Sequence, residues 1–416
     1  MSDSIEQFTL ACGLPLLVQK MDTVRSCALN WLVPCGGSVD PTDRLGTAEV
    51  LGEMLMRGAG GLDSRQQTDA FDRLGASRSA EAGARFTRLG ATMLGDKLDD
   101  TLPLIADMIR SPMLSGDSLE PARLLAMQQL ASLADDPQER AVLGARAAHY
   151  PSPFDRTGMG TAAGLGAIDR DGLAAHWGQH AVPRGSILAI AGQVDPARVV
   201  SRLDVLLKGW EGEASVPAFE GSGPRGYHHL EDDSNQVQIV VVHDAPREAD
   251  ETSVLERVVL AVLSGGMSSR LFSEVREKRG LCYAVHAGYR GEKDFGTVTG
   301  YVGTTPERAQ EALDVLVAEL ERINTSGVTP EEFERAITGL TSRVVFSGES
   351  TGARSAALAN DFFKRGRART LSEVREGIMA VTLDEVNAYL KARTLGRMTV
   401  QTLGPKPLTP PASIGG

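Results

Sequence analysis

Two kinds of apolar spacing alternate along this chain. After Gly13 the apolar residues Leu14, Leu16 and Val18 recur at every second position, so residues 5–20 read as strand, turn and strand. Residues 26–34 (SCALNWLVP) and 186–192 (SILAIAG) are near-continuous apolar runs of core-strand length, and 84–94 (ARFTRLGATML) alternates. Between these runs the spacing shifts to helical. Helices are predicted at 47–56, 64–74, 98–110, from about 118, and at 196–207, the first two stopped by Gly58 and Gly75. The helix at 98–110 places Leu98, Leu102, Ile105, Met108 and Ile109 on one face.

The pattern then breaks. Residues 211–226 (EGEASVPAFEGSGPRG) are rich in Gly, Ser and Pro, have no period, and read as a linker. Beyond them the same order returns: a strand at 236–243, a helix at 250–263 ending at Ser264-Gly265-Gly266, alternating strands at 282–290 and 295–302, a helix at 306–322, and another opened by Thr329. Leu98, Leu102, Ile105 and Ile109 match Ala309, Leu313, Leu316 and Leu320, each pair 211 positions apart. A match that also keeps the order of the flanking elements is a duplication. The expected fold class is α+β, with two homologous α/β-sandwich domains, each a mixed sheet with helices on one face. The expected boundaries are 1–210, a linker at 211–226, and 227–416.

Composition narrows the partners. The 416 residues carry a formal net charge of -11, spread without a dense basic cluster, which excludes nucleic acid and anionic lipid as the main partner. Cys12, Cys27, Cys35 and Cys282 form no C-x-x-C pair and are too sparse for a disulfide framework. The start, MSDSIEQF, lacks the basic and apolar regions of a signal peptide, and no run of about 18 apolar residues follows. A soluble cytoplasmic protein is expected.

Two stretches carry candidate chemistry. Gly46-Thr47-Ala48-Glu49-Val50-Leu51-Gly52-Glu53-Met54-Leu55-Met56-Arg57-Gly58 resembles the helix that holds the inverted zinc motif H-x-x-E-H in the pitrilysin, insulinase and mitochondrial processing peptidase family. Ser268-Ser269-Arg270-Leu271-Phe272-Ser273-Glu274-Val275-Arg276-Glu277-Lys278-Arg279-Gly280-Leu281-Cys282-Tyr283 is similar to the second-domain signature of that family. The resemblance implies a clamshell to which a chain of this length contributes one half.

The first stretch keeps the frame of the motif without its chemistry. A catalytic zinc takes three protein ligands and leaves a position for water. The resemblance puts Glu49 and Glu53 where the two histidines would stand, Gly52 where the general base would stand, and Gln129 at the third ligand. Two helical carboxylates and a neutral amide make a poor zinc site, and a solvated acidic helix face is the plainer reading of Glu49 and Glu53. His176 and His180 have i, i+4 ligand spacing, yet no carboxylate follows and Trp177 points to packing. His228-His229 reads as an exposed turn. No G-x-G-x-x-G phosphate loop or nucleophile triad is visible.

The second stretch is intact. By the resemblance, Arg276 and Tyr283, seven residues apart, act on peptide held over the zinc site of the other domain or chain. Arginine can grip or polarise a carbonyl and tyrosine can donate to an oxyanion. The segment Leu263–Ser269 is shorter and poorer in glycine than the substrate-binding glycine-rich segment of the degenerate processing-peptidase subunit. The resemblance implies a non-catalytic subunit with no cofactor of its own. Its partner would be a zinc-bearing paralogous peptidase subunit, the assembly a dimer, and the substrate an extended peptide. The alternative is a purely structural member of the same family, working as a homodimer or complex component.

Overall fold

The structure is a computed structural model that describes residues 4–412 except 216, 218 and 220, together with residue 414. Three positions of the 211–226 segment therefore lie outside the described residues. The strands are β1 (Ile5–Thr9), β2 (Pro15–Lys20), β3 (Ser26–Val33), β4 (Gly58–Ala59), β5 (Leu62–Asp63), β6 (Ser77–Ala82), β7 (Thr87–Leu94), β8 (Ile187–Gly192), β9 (Gly226–Glu231), β10 (Val237–Ala245), β11 (Cys282–Gly291), β12 (Gly296–Thr304) and β13 (Thr399–Gly404). The helices are α1 (Thr47–Leu55), α2 (Ser64–Arg73), α3 (Leu98–Arg110), α4 (Gly116–Ser132), α5 (Pro137–His149), α6 (Ala162–Ala167), α7 (Arg170–His180), α8 (Pro196–Leu206), α9 (Ser253–Ser264), α10 (Ala309–Ser326), α11 (Pro330–Gly348), α12 (Thr351–Arg365), α13 (Leu371–Met379) and α14 (Leu383–Ala392).

The duplication predicted from the 211-residue offset is visible strand by strand. One sheet runs β1-β2-β8-β3-β7-β6 and the other β11-β12-β10-β13-β9. Read outward from β6 and from β11, the two follow the same path, and each holds one parallel pair, β2 with β8 and β9 with β13, among antiparallel neighbours. His228 and His229 are not in a turn. They sit on β9, where His229 Nδ1 lies 2.8 Å from Thr402 Oγ1. The sequence GYHHLE lacks the β-branched alternation that would have announced a strand.

Each sheet buries its larger apolar face under helices of its own repeat. In the first, Leu16, Leu29, Trp31 and Leu89 meet Leu51 of α1 and Leu102 of α3 in one cluster. In the second, Ile239, Val241 and Val302 meet Leu263 of α9 and Leu316 of α10. The expectation of helices on one face stops there, because the opposite faces are covered as well. Leu17, Leu32 and Ala189 pack against Leu358 and Ala359 of α12, and Val240, Tyr301 and Leu403 pack against Ala141 and Ala145 of α5.

These two covering helices cross between the repeats. The first compact unit holds the chain up to Ser132, then Arg156–Phe219 and Ser347–Leu371; the second holds Leu133–Asp155, the chain on to Phe346, and Ser372 onward. Neither unit is one stretch of chain, as boundaries at 1–210 and 227–416 would have it. The fit of α5 is close: a Cβ on Gly144 would lie 2.9 Å from the Gln401 side chain, and His149 Nδ1 sits 2.9 Å from Thr399 Oγ1.

All four cysteines are free, Cys27 and Cys35 buried and the other two partly so. Burial pushes the Cys27 thiol up to about 12. Among the described residues, no helix is long and apolar enough to cross a membrane.

Candidate functional site

The helix carrying Glu49 and Glu53 is fixed at its start by an acid outside it. Gly46 takes the N-cap in a left-handed conformation, φ 104°, and its side-chain position is filled by Leu165, whose Cδ2 a Cβ would meet at 2.6 Å. Asp40 caps the helix instead: Oδ2 accepts from Gly46 N at 2.8 Å and Oδ1 from Ala48 N at 3.0 Å. Burial raises the Asp40 carboxyl to about 6, in spite of these amides and the nearby Arg156. The apolar stripe Val50, Leu51, Met54 and Leu55 is buried. The remaining face presents Glu49, Gly52 and Glu53 to a cleft of about 400 Å³.

The cleft brings together all four positions singled out in the sequence. Glu49, Gly52 and Glu53 form one wall, and Gln129 on α4 lies across from them. The third wall, Ala80, Glu81 and Ala82 of edge strand β6, had no sequence signal, since SRSAEA is poor in strand-forming residues. Glu53 Oε1 is taken by Arg57, which donates from Nε at 2.9 Å and Nη2 at 2.6 Å. Burial first, and then the charge of Glu53, push the Glu49 carboxyl up. Gly52 contributes backbone alone; a Cβ there would stand 3.5 Å from Ala80 O, an ordinary contact.

These residues do not fit a catalytic zinc ion. One carboxylate is engaged by an arginine, the other is half-buried beside the first with its carboxyl pushed up, the third position is an exposed amide, and no base stands at Gly52. Among the described residues no three His, Cys, Asp or Glu side chains gather as a metal set. His176 and His180 are buried with ring centroids 4.5 Å apart, and burial pushes both imidazoles down.

The second candidate cluster belongs to the other unit. Residues Phe272–Glu277 wind as a π-turn that packs beside β11, the edge strand of its sheet. Arg276 is exposed, with its guanidinium carbon 5.1 Å from the Phe272 ring centre. Tyr283 falls at a bulge: Cys282 pairs with Thr304 and Ala284 with Gly303, leaving Tyr283 as the extra residue, 65 % exposed. Bulges of this kind re-aim a side chain. Arg279 is tied down, donating to Glu274 Oε2 and to Glu274 O, each at 2.7 Å. The segment Leu263–Ser269 borders a separate cleft of about 210 Å³ with Arg335 and Arg343 of α11.

A duplicated sheet-and-helix sandwich with its candidate site on the first helix of the first repeat defines a chain of the two-repeat, peptidase-like class. Two family models match it: "Insulinase (Peptidase family M16)" over residues 16–152 and "Peptidase M16 inactive domain" over 167–340. The chain belongs to the M16, or insulinase, peptidase family. An uncharacterised zinc protease of Streptomyces coelicolor is 26 % identical, covering 97 % of this chain and 90 % of that protein. Another, of Bacillus subtilis, is 23 % identical over 93 % of this chain and 95 % of its own length. Among solved structures, a peptidase M16 inactive domain from Pseudomonas fluorescens superposes with a TM-score of 0.89 at 21 % identity, covering 98 % of this chain and 99 % of that one. A chain of Complex III2 from Candida albicans does so at 0.84 and 15 %, covering 96 % of each.

Proposed function

We propose that this chain is a zinc-free, non-catalytic subunit of a heteromeric zinc metallopeptidase. It would supply Arg276 and Tyr283 to an extended peptide held by a zinc-bearing paralogous subunit, the two forming a dimer. One observation carries the reading. The four degenerate zinc-site positions share one cleft and offer neither a tetrahedral donor set nor a base, while Arg276 and Tyr283 stand exposed in the other unit. A partner's zinc can make hydroxide, and the tetrahedral intermediate then needs donors of the kind these two residues provide.

A second reading, a scaffold with no part in turnover, draws on the shared fold with a chain of a multisubunit complex. The test is metal analysis and peptide hydrolysis on the dialysed chain, alone and mixed with a zinc-bearing relative of similar length. The proposal expects no stoichiometric zinc and no cleavage from the chain alone, and cleavage from the mixture beyond that of the relative alone. About one retained zinc per chain, or hydrolysis by the isolated protein, overturns it.

A further inference from the structure

Three cations crowd the turn after Leu271: Arg276, Lys278 and Arg279. The winding of the turn sorts them. In an α-helix residue i+5 lies about 140° around the axis from residue i and cannot meet it. A π-turn closes i→i+5 bonds and brings i+5 back beneath i. Here Lys278 N donates to Ser273 O at 2.9 Å, such a bond. Glu274 reaches Lys278, four residues on as in any helix, and through this winding also Arg279, five residues on, each at 2.7 Å. Arg322 of α10 stands 3.9 Å from the same carboxylate but is engaged at 2.9 Å by Glu319. The Lys278 and Arg279 hydrogen bonds hold the Glu274 carboxyl down at about 2, so it stays ionised throughout the physiological range. Arg276 has no such acid among the described residues; its guanidinium lies against the Phe272 ring.

We propose that this π-turn is a cation selector, in which Glu274 withholds Lys278 and Arg279 and the Phe272 ring positions Arg276 as the single guanidinium offered to a peptide carbonyl or carboxylate. The inference rests on the reading of Arg276 given above. Glu274 and Phe272 act through their neighbours and are positioning residues.

The test is phenylglyoxal labelling of the intact chain, read residue by residue by peptide mass spectrometry. Arg276 should label faster than Arg279, and Glu274→Gln should raise the Arg279 rate roughly threefold, as expected for losing a partly exposed ion pair. Equal rates in the wild type, or an unchanged Arg279 rate in Glu274→Gln, overturn the selector. In the two-chain complex, Glu274→Gln should lower KM severalfold for peptides carrying an added Asp or Glu while kcat holds, and Phe272→Leu should raise KM where Arg279→Ala does not. If Arg276→Ala left turnover intact while the labelling contrast persisted, the peptidase reading would fall and the selector would stand as a property of the turn.

Discussion

Arg393 and Glu256 meet as a two-pronged ion pair inside the second unit, Nη2 to Oε1 at 2.6 Å and Nε to Oε2 at 2.9 Å, with side chains 2 % and 0 % exposed. Tyr389 donates to the same carboxylate at 2.6 Å, and Arg393 Nη1 donates to Asn324 at 3.1 Å. The pair joins α9 to the chain just beyond α14. Arg393→Ala strands a buried carboxylate, so it should cost about 3–5 kcal/mol in urea unfolding. Replacing both partners, Arg393→Met with Glu256→Leu, should cost clearly less. A single variant within 1 kcal/mol of wild type, about the worth of an exposed pair, would show that the pair is not desolvated.

In the assembled complex, Arg276→Ala and Tyr283→Phe should each lower turnover by about 10²–10³, the usual cost of one oxyanion donor. Assembly should persist, since both side chains are exposed. Arg279→Ala is the control, because its guanidinium is occupied by Glu274. Gel filtration and a quenched fluorescent peptide give the two readouts. Full activity in all three variants would favour the scaffold.

Histidine at positions 49 and 53 alone should restore neither stoichiometric zinc nor hydrolysis. The change removes the Glu53–Arg57 pair but leaves Gln129 as an amide and Gly52 without a base. Adding Gly52→Glu and Gln129→Glu completes the donor set, and the ordinary 3.5 Å contact at Gly52 leaves room for a side chain to start there. Robust cleavage by the double variant would contradict this account of the cleft.

The helical stripe of α3 and its echo in α10 could be read from sequence because both follow a strong 3.6-residue period on one apolar core. The covering helices could not. Residues 137–149 (PQERAVLGARAAH) meet their sheet mainly through alanine, residues 351–365 (TGARSAALANDFFKR) through Leu358, Ala359 and two phenylalanines, and nothing local says which sheet each covers. At the candidate site, the family frame found Glu49, Gly52, Glu53 and Gln129, all local to two helices. It missed the β6 wall, the distant cap Asp40 and the parts played by Phe272 and Glu274, which depend on winding and on contacts across the fold.

Acid should destabilise the first unit through His176. Burial first, then the charges of His180 and Arg44, lower its pKa from 6.5 to about 4. The unfolded chain then binds the proton more readily, so the contribution is fully present above 6.5 and is lost as pH falls through 4, worth up to about 3 kcal/mol. Asp40 works in the opposite sense: its folded pKa of about 6 exceeds 3.8, so its contribution fades as pH rises between those values. Urea titrations of wild type and His176→Gln from pH 7 to 4 should converge as pH falls. Parallel curves would remove His176 from the explanation.

A single cut within 211–226 should not separate the chain into independent pieces. Helix α5 lies before the cut and packs on the second sheet, while α12 lies after it and packs on the first. Nicked protein should elute as one species in buffer and split only in denaturant. Two peaks in native gel filtration would mean that the exchanged helices contribute little.

The same exchange sets a timetable for synthesis. The first sheet is complete in sequence once β8 has been made, yet the face formed by Leu17, Leu32 and Ala189 stays bare until α12 has left the ribosome, after four of the five strands of the second sheet. Contacts of such long sequence separation form late and slowly. The nascent first repeat must therefore hold an apolar sheet open to solvent while its own helix α5 waits for strands not yet translated. Chaperone dependence during translation should accordingly peak over the second repeat and fall once residues 351–365 emerge.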